Sequence, residues 1–379
     1  MSAPRLVYLV TEDWYFISHR MPMARAAKAA GYEVHVVTRV DRHGAAIEAE
    51  GFILHPTDLR RGSIRPHHLL AAVAAVRARY RDIRPALAHH VALQSVVVGS
   101  LAAIGLSIPA VNALTGLGAM FTAQHGVARS LTAWLLLKLL PLLLTGNRSL
   151  VLVQNPDDRD AVERLGVKAG RVAMVPGSGV DVDWLQPSPE PAGPVTVAYV
   201  GRMLDDKGVR TLIEAHRKLR ASGQAPRLLL AGQPDPSNPA SIPAAEVEGW
   251  AREPGVEWLG HVSDIRTVWK RAHIGVLASR REGLPLSLLE AAACGRALIA
   301  TDTPGCREVA RHGVNALTFP VDDADALAAA IQRLAGDPGL RAAFAAESRR
   351  LAVEVFAAER IGRDIVELYQ TVSRLPELG

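Results

Sequence analysis

The sequence predicts an α/β protein of two domains, each built on a Rossmann-like parallel sheet, which face one another across a cleft. Three observations lead to this prediction. A length of 379 residues exceeds what a single hydrophobic core usually serves. Strand-like runs alternate with helix-like segments over short links, which is the pattern of parallel β-α-β units. The alternation stops once, at VPGSGVDVDWLQPSPEPAGP, a stretch dense in Pro, Gly and Ser, and then restarts.

The first half of the chain begins with a predicted strand at PRLVYLVT and a predicted helix at SHRMPMARAAKAAGY. Ser18 is the expected N-cap of this helix, and Gly31 stands just past its expected end. Further strands are predicted at EVHVVT, ALAHHVA, SIPAVNALT and SLVLVQN. We expect the domain boundary near residues 176–194, so that residues 1–178 form the N-terminal domain.

The second half predicts strands at VTVAYVGR, RLLLAG, VEWLG, HIGVLAS, ALIATD and ALTFP, with helices between them. We therefore expect a second parallel α/β domain over residues 190–360. A terminal helix over residues 361–379 is expected to pack back toward the N-terminal domain. Because ligands of open α/β sheets bind at the carboxyl ends of the strands, the functional site is expected in the cleft.

Charge is distributed unevenly along the chain. Residues 1–150 hold 16 Lys and Arg against 8 Asp and Glu, whereas residues 151–379 hold 27 against 30. The excess peaks between Arg60 and Arg84. This asymmetry indicates an anionic partner, either nucleic acid or a phospholipid surface, with a solvated helix face as the alternative. Nucleic acid is disfavoured because the basic segment lacks aromatic interleaving and a binding motif.

Two apolar stretches are candidate membrane segments. Residues 91–111 are uncharged and nearly long enough to span, but polar residues and Pro109 interrupt them, so we predict a strand, a buried helix and another strand. Residues 131–144 are shorter than a span and contain Lys138 and Pro141. They predict a helix that lies either on a membrane or in the core.

The cellular compartment is indicated by the N-terminus and the cysteines. The N-terminus lacks a long apolar stretch with a cleavage site, so it predicts a strand and not a signal peptide. Cys294 and Cys306 have small or apolar neighbours and no CxxC spacing. They indicate reduced core residues, and the protein is expected to be cytoplasmic.

Two cations follow the first strand of the second domain, in the stretch VAYVGRMLDDKG. Arg202 stands at the predicted strand end, and Lys207 stands five residues later, where the next helix begins. Both are therefore expected at the carboxyl edge of the sheet, where compact positive charge suits a diphosphate. A surface arginine at a strand end is the alternative interpretation.

Two glutamates eight positions apart flank a predicted helix start in REGLPLSLLE. Pro285, placed in the first turn, and Gly283 before it would expose backbone N–H groups at the helix N-terminus, where they attract an anion. Over eight helical steps Glu282 and Glu290 would lie ~12 Å apart, a distance that suits the two ends of a nucleotide-sugar. An exposed pair on an amphipathic helix is the alternative. The apolar surroundings of Glu290 disfavour it, because burying an unpaired carboxylate is costly.

With these segments in place, the chain resembles the family-4 glycosyltransferases, which have the two-domain GT-B fold. The resemblance covers nearly the whole chain and rests on EGLPLSLLE, GRMLDDKG, LGHVSDI, TDTPGCREVARHGVNAL and TEDWYFISHRMPMARAAKAAGYEVHVVT. The segments AGQPDPSNPASIPAAEVEGW and ALTGLGAMFT are similar to bacterial transferases that build capsule, exopolysaccharide or lipid-linked oligosaccharide.

The resemblance implies that the C-terminal domain binds a nucleotide-sugar donor and the N-terminal domain binds the acceptor. Arg202 and Lys207 would bind the donor diphosphate and stabilise the leaving nucleotide. Glu282, together with the backbone N–H groups of Gly283 and Leu284, would contact the donor sugar.

The resemblance further implies that Glu290 binds the ribose and that the backbone near His261 and Val262 meets the base. The family retains the anomeric configuration and needs no metal held by a DxD motif. No metal and no other cofactor is therefore expected. The DVD sequence at residues 181–183 matches that motif by chance, because it lies in the linker.

The N-terminal domain departs from the family pattern in two places. Relatives carry a glycine pair after the first strand, whereas this chain has TEDWYFISHR. Relatives also carry a histidine in the N-terminal cleft, at a point where Thr115 and Gly116 stand here. His19 could replace that histidine or bind an acceptor phosphate, and a plain helix-start residue is the alternative.

The resulting prediction is transfer of a hexose or N-acetylhexosamine from a nucleotide-sugar, expected to be a UDP-sugar, to a soluble or polyprenyl-diphosphate-linked saccharide. The basic N-terminal domain is expected to lie on the anionic inner face of the cytoplasmic membrane, with no nucleic acid partner. The alternatives are a nucleotide-sugar epimerase or hydrolase and a non-catalytic membrane-binding protein. A nicotinamide dehydrogenase is excluded because TEDWYFISH lacks GxGxxG.

Overall fold

The computed structural model of the protein describes residues 3–59, 66–114, 140–146, 148–236 and 238–375. The chain divides into two compact units. The N-terminal unit consists of Met1–Gly179 and Ala358–Gly379, and the C-terminal unit is Val180–Ala357. The C-terminal unit therefore begins inside the expected linker and ends at residue 357, where the sequence led us to expect 360.

The N-terminal unit is built on a seven-stranded sheet in the order β3-β2-β1-β4-β5-β6-β7. All of its strand pairs are parallel. The central strands are buried on both faces, which explains why they are continuous apolar runs in the sequence. The strands are β1 Arg5–Glu12, β2 Glu33–Arg39, β3 Ile53–Pro56, β4 Leu87–Val91, β5 Ala110–Ala113, β6 Ser149–Val153 and β7 Val172–Met174.

Helices connect these strands and cover the sheet. Gly31 follows the second helix with φ +94°, a conformation that suits glycine and ends the helix as expected. Residues 140–144 are also helical, whereas the remainder of the apolar segment 131–144 lies outside the described residues. The helices are Asp13–His19, Met21–Ala29, Gly44–Ala49, Pro66–Ile83, Ala92–Ala103, Pro156–Arg164 and Ala358–Ser373.

The prediction that Ser18 caps a helix is wrong. Ser18 lies inside the helix Asp13–His19, and its hydroxyl donates to the carbonyl of Trp14 over 2.8 Å. A second helix, Met21–Ala29, then begins with a proline in its first turn. Pro22 has no N–H to donate to the carbonyl of Ser18, so one continuous helix would lose that hydrogen bond.

The last helix, Ala358–Ser373, packs against the sheet and helices of the N-terminal unit. The Tyr369 hydroxyl lies 2.6 Å from the hydroxyl of Tyr8 and 2.6 Å from Nδ1 of His89, all three side chains being buried. Gly362 faces Ala26 so closely that a Cβ at this position would lie 2.7 Å from the alanine methyl. A polar contact in the core and a close helix approach thus fix the chain's last described helix.

The C-terminal unit is built on a six-stranded parallel sheet in the order β10-β9-β8-β11-β12-β13. Its strands are β8 Thr196–Val200, β9 Arg227–Ala231, β10 Val256–Gly260, β11 Ile274–Leu277, β12 Ala297–Thr301 and β13 Ala316–Phe319. Its helices are Val209–Ala221, Ala244–Ala251, Arg266–Trp269, Leu286–Ala293, Pro304–Val309, Ala324–Gly336 and Pro338–Glu354.

Both sheets reverse their direction of growth at their first strand. β1 lies between β2 and β4, and β8 lies between β9 and β11. In such sheets the connections leave in opposite directions, which opens a crevice at the carboxyl ends of the central strands. A ligand site is therefore expected at the carboxyl end of β8 and β11.

Three further features bear on the sequence predictions. Cys294 and Cys306 are buried and unbridged. Among the helices that the structure describes, none has the length and apolar character needed to cross a bilayer. The uncharged stretch 91–111 forms the helix Ala92–Ala103 between strands β4 and β5, which is the predicted arrangement.

Candidate functional site

The site is built around two loops that leave the adjacent strands β8 and β11, here named the first loop (residues 201–208) and the second loop (residues 278–285). The first loop ends in a short 3-10 turn, Asp205–Lys207. Gly208 follows with φ +64°, and a Cβ there would lie 1.9 Å from the carbonyl oxygen of Ala278. Only glycine allows the two loops to approach this closely.

Lys207 and Glu282 meet between the two loops. Lys207 Nζ lies 2.5 Å from Glu282 Oε1, and the side chains are 24% and 11% exposed. The residue predicted to bind the diphosphate and the residue predicted to contact the sugar are therefore neighbours. A bound donor would have to share or replace this ion pair.

Arg202 forms a second ion pair of the same kind. Its Nη1 lies 2.7 Å from Oδ2 of Asp235, which follows β9. Sequence analysis missed Asp235. The signal that could have identified it is an acidic residue shortly after the predicted strand RLLLAG, in AGQPDP. Arg202 and Lys207 thus each carry a carboxylate partner at the carboxyl ends of adjacent strands.

Glu290 is recessed in the protein and lies on the helix Leu286–Ala293. Its carboxylate makes no hydrogen bond or ion pair within the described part of the chain. Burial raises the pKa of Glu290 to about 8. A desolvated carboxylate of this kind is suited to accept hydrogen bonds from ligand hydroxyl groups.

The start of this helix differs from the sequence prediction. Pro285 has an extended conformation, with φ −76° and ψ 113°, and it is the N-cap rather than a residue of the first turn. The helix begins at Leu286, so Glu282, Gly283 and Leu284 belong to the second loop. The distance between the two glutamates is therefore not set by helical rise alone.

His261 and Val262 follow β10, two strands from β8 in the sheet. His261 is exposed, and Val262 packs partly against the core of the C-terminal unit. Gly232, at the end of β9, has φ +135°, and a Cβ there would lie 1.9 Å from the carbonyl oxygen of Gly201. This close approach draws the end of β9 against the first loop, on the side toward His261.

Of the three acceptor-side candidates, only His19 lies among the described residues of the N-terminal unit. His19 ends the helix Asp13–His19; its ring stacks on Tyr15 with centroids 4.3 Å apart, and its Nδ1 lies 2.6 Å from the Ser18 hydroxyl. Thr115 and Gly116 lie outside the described residues.

Asp13 is a buried carboxylate that sequence analysis missed. Its Oδ2 accepts backbone N–H groups from residues 41, 42 and 43, and its Oδ1 accepts the N–H of Trp14. Burial alone would raise the pKa of Asp13, but these four donors outweigh it and hold the pKa below its usual range. Asp13 thereby ties the loop after β2 to the end of β1, where relatives were expected to have glycines.

No group of three or more His, Cys, Asp or Glu side chains with metal-binding geometry occurs within the described ranges. Asp181, the first residue of the DVD sequence, uses Oδ1 to accept the N–H groups of Asp183 and Trp184. The carboxylate thus closes a local turn in the linker.

Two family descriptions match the sequence. The description "Glycosyl transferase 4-like" matches residues 5–146, and "Glycosyl transferases group 1" matches residues 194–337. The chain is 25% identical to the N,N'-diacetylbacillosaminyl-diphospho-undecaprenol alpha-1,3-N-acetylgalactosaminyltransferase of Campylobacter jejuni, over 94% of this chain and 98% of that protein.

Solved structures with the same fold include sucrose-phosphate synthase from Thermosynechococcus elongatus, with a TM-score of 0.81, 22% identity, and coverage of 97% of this chain and 99% of that one. Anabaena HepE in complex with UDP and glucose gives a TM-score of 0.75 at 19% identity, with coverage of 97% and 99%. These likenesses and the two parallel sheets confirm the expected GT-B fold class.

Proposed function

We propose that this chain, which belongs to the group 1 and 4-like glycosyltransferases and is itself a glycosyltransferase, transfers a hexose or N-acetylhexosamine from a UDP-sugar. The proposed acceptor is a polyprenyl-diphosphate-linked saccharide, and the proposed process is bacterial cell-surface glycan assembly. Retention of the anomeric configuration is part of the proposal. The observation that carries it is the meeting of Lys207 and Glu282 between two loops at the carboxyl ends of β8 and β11.

The donor assignment follows from the chemistry of these side chains. A nucleotide-sugar has a diphosphate between a ribose and a sugar. Lys207 and Arg202 offer positive charge for the diphosphate, Glu282 lies beside Lys207 for the sugar, and the recessed Glu290 suits the ribose hydroxyls. HepE, a protein of the same fold, was solved with UDP and glucose, which supports a UDP-sugar as the donor.

The proposed roles in transfer concern charge. As the bond between the anomeric carbon and the phosphate oxygen breaks, negative charge grows on the departing diphosphate. Lys207 and Arg202, already oriented by Glu282 and Asp235, stabilise that charge without reorganisation of solvent. No metal takes part in this scheme.

The acceptor assignment rests on a relative. The Campylobacter jejuni protein is named for an acceptor carried on diphospho-undecaprenol, and it matches this chain over nearly its whole length. A polyprenyl-diphosphate-linked saccharide therefore takes precedence over a soluble saccharide.

A direct assay tests this function. We expect the protein to transfer sugar from one of a panel of UDP-, GDP- and ADP-sugars to a polyprenyl-diphosphate-linked saccharide, with equal activity in the presence of a chelator. Product linkage is read by NMR. Release of free nucleotide at the same rate without acceptor would instead favour the hydrolase alternative, and loss of activity with the chelator would contradict the metal-free scheme.

A membrane location also belongs to this proposal. The helix Pro66–Ile83 presents Arg79 and Arg81 to solvent, and the exposed Arg84 follows it. Leu69 packs against the hydrophobic cluster that contains residues 140 and 144, so this basic helix and the short helical stretch 140–144 contribute to the same cluster. Exposed apolar side chains lie on the same elements or close to them: Leu70 69%, Ile104 61% and Leu142 69%. Basic and apolar groups together suit an anionic lipid surface.

Arg77 has a different role from the neighbouring arginines. Its Nη1 donates to the carbonyls of Ala102 and Ile104, at 2.8 and 2.6 Å, and so caps the end of the helix Ala92–Ala103. Arg77 is therefore left unchanged in a membrane-binding test, because replacing it would disturb the fold. Trp134 and Lys138 are residue types that favour a membrane interface, and both lie outside the described residues.

We expect the variant with Arg79, Arg81 and Arg84 all changed to glutamate to bind anionic vesicles at least ~10-fold more weakly, since each basic residue near anionic lipid contributes roughly 1 kcal/mol. The measurement is flotation with phosphatidylglycerol-containing vesicles at low salt. A matched control changes three exposed basic residues of the C-terminal unit, Arg252, Lys270 and Arg333, to glutamate. Equal loss in both variants would show that only net charge matters.

A further inference from the structure

We infer that Arg280 is a positioning residue: it joins Asp205 and Asp322 and thereby holds the two loops of the donor site in the geometry that donor binding needs. The inference deepens the proposed function and rests on it. Neither Arg280 nor its two partners was identified from the sequence.

Arg280 lies in the second loop, close in sequence to a residue of the candidate site. It stands two residues before Glu282, and Asp205 stands two residues before Lys207 in the first loop. β8 and β11, from which these loops leave, are neighbours in the sheet. A connection between residues 205 and 280 therefore joins the two loops at a point two residues before the Lys207–Glu282 pair in each loop.

The backbones of the two loops already touch here. The N–H of Arg280 donates to the carbonyl of Asp206 over 2.9 Å, and the Ser279 hydroxyl donates to the same carbonyl over 3.1 Å. Gly208, with its close approach to Ala278, completes the contact. These backbone contacts set the distance between the two loops. Side-chain contacts are then needed to keep one loop from sliding or rotating relative to the other.

The Arg280 guanidinium provides that resistance. Its Nε lies 2.9 and 2.8 Å from the two carboxylate oxygens of Asp322, and its Nη1 lies 2.6 Å from Oδ2 of Asp205. Asp322 follows β13, so one planar group connects three segments of the C-terminal unit. Asp205 also accepts from Arg210 over 2.6 Å, which orients its carboxylate. A rigid fork of donors suits this task, whereas a lysine ammonium cannot span both carboxylates in the same way.

Asp322 has an unusual backbone conformation. Its φ is +61°, in the left-handed region that few residues other than glycine occupy, although Asp and Asn tolerate it. Strained backbone persists where the surrounding structure determines it, and such residues cluster at functional sites. Here the strained residue directs its carboxylate at Arg280.

The alternative interpretation is that Arg280 forms surface ion pairs that have no role in donor binding. Arg280, Asp205 and Asp322 are 38%, 37% and 46% exposed, and isolated pairs at such exposure contribute little to stability. The two interpretations differ in what they predict. If the ion pairs have no role in donor binding, substituting Arg280 leaves donor binding unchanged. If Arg280 is a positioning residue, substituting it affects donor binding far more than it affects the free energy of unfolding.

The test uses the full-length protein and measures binding of UDP, GDP and ADP by calorimetry, kcat/KM with the active donor, and Tm. We expect Arg280→Ala to weaken the binding of the preferred nucleotide and lower kcat/KM by roughly 10-fold or more, since a 1 Å misplacement of binding groups can cost about 100-fold. Arg280→Lys should recover only part of the loss. The matched control is Arg271→Ala, which removes an exposed arginine paired with Glu257 at 2.5 Å and should leave binding unchanged.

A second variant separates positioning from direct contact with the donor. Asp322→Asn keeps a residue type that tolerates positive φ but removes the charge that holds Arg280. Positioning predicts that it weakens nucleotide binding too, and that Arg280→Ala combined with Asp322→Asn is no worse than Arg280→Ala alone. If Asp322→Asn binds nucleotide as well as the wild type while Arg280→Ala does not, Arg280 touches the donor itself and the inference is wrong.

The outcomes also separate the inference from the function on which it rests. Wild-type binding of a nucleoside diphosphate together with unchanged binding by Arg280→Ala would overturn the positioning role alone. If the wild type binds none of the three nucleotides, the proposed donor site fails, and the positioning role fails with it.

Discussion

Replacing Lys207 by alanine is expected to lower kcat/KM by about 30- to 1,000-fold, which corresponds to roughly 2–4 kcal/mol of lost transition-state stabilisation. Two effects act together. The substitution removes positive charge from the departing diphosphate, and it leaves Glu282, only 11% exposed, without the cation that lies 2.5 Å away. An unpaired carboxylate at this place would also repel the diphosphate.

A second substitution separates these two effects. In Lys207→Ala combined with Glu282→Gln, the repulsion is gone, so nucleotide affinity should recover in part while turnover stays low. Arg202→Ala is expected to behave like Lys207→Ala, with Asp235→Asn as the matching second change, because Asp235 lies 2.7 Å from Arg202. Affinity is measured by calorimetry with UDP and turnover with the active donor.

Lys218→Ala is the matched control for the loss of an ion-paired lysine. Lys218 lies in the same unit, on the helix Val209–Ala221, and its Nζ is 2.6 Å from Asp325. This control should retain wild-type kcat/KM. If Lys207→Ala and Arg202→Ala also stay within about threefold of the wild type, a change worth less than 1 kcal/mol, the diphosphate assignment is wrong.

Changing Glu290 to glutamine is expected to stabilise the protein and weaken nucleotide binding at the same time. The pKa of Glu290 is raised by burial to about 8, so the folded state keeps a proton that the unfolded chain loses near pH 4.5. Between these two pH values the folded state binds more protons than the unfolded state. The free energy of unfolding of the wild type therefore falls as pH rises through this window.

Glutamine has no proton to lose, so the variant escapes this penalty. We expect its stability advantage to grow from pH 5 to pH 8, reaching on the order of 4 kcal/mol, or about 8–16 °C in Tm for a unit of this size. Glu248→Gln, at an exposed position of the helix Ala244–Ala251, should show no such pH-dependent gain. A Glu290→Gln variant that is less stable than the wild type at pH 8 would contradict the argument.

The same substitution tests the ribose role. A carboxylate accepts hydrogen bonds from both ribose hydroxyls, so donor binding should favour its ionised form and release a proton near pH 7. Calorimetry of UDP binding in two buffers of different ionisation enthalpy measures that proton. Glu290→Gln should bind UDP more weakly and release correspondingly less. Equal UDP affinity and equal proton release in both proteins would exclude the ribose role.

Long apolar runs in the sequence identified the buried strands because burial on both faces requires them. PRLVYLVT became β1 and ALTFP became β13, and the strands between them that sequence analysis named are present. β3 and β7 were missed. Both are edge strands of three or four residues with exposed positions, and they lack the continuous apolar run that marks a central strand.

In the candidate site, too, some features follow from local sequence motifs and others depend on the tertiary structure. Arg202, Lys207 and Glu282 were identified because each stands in a local motif after a predicted strand, and the sequence by itself determined both their types and their spacing. Strand order is a property of the whole sheet and cannot be deduced from any one segment. The order β9-β8-β11-β12-β13 alone brings together residues far apart in the chain: Arg202 with Asp235, Lys207 with Glu282, and Arg280 with Asp205 and Asp322. Parallel strands deliver their following loops to one edge, so the tertiary structure decided which charges meet there.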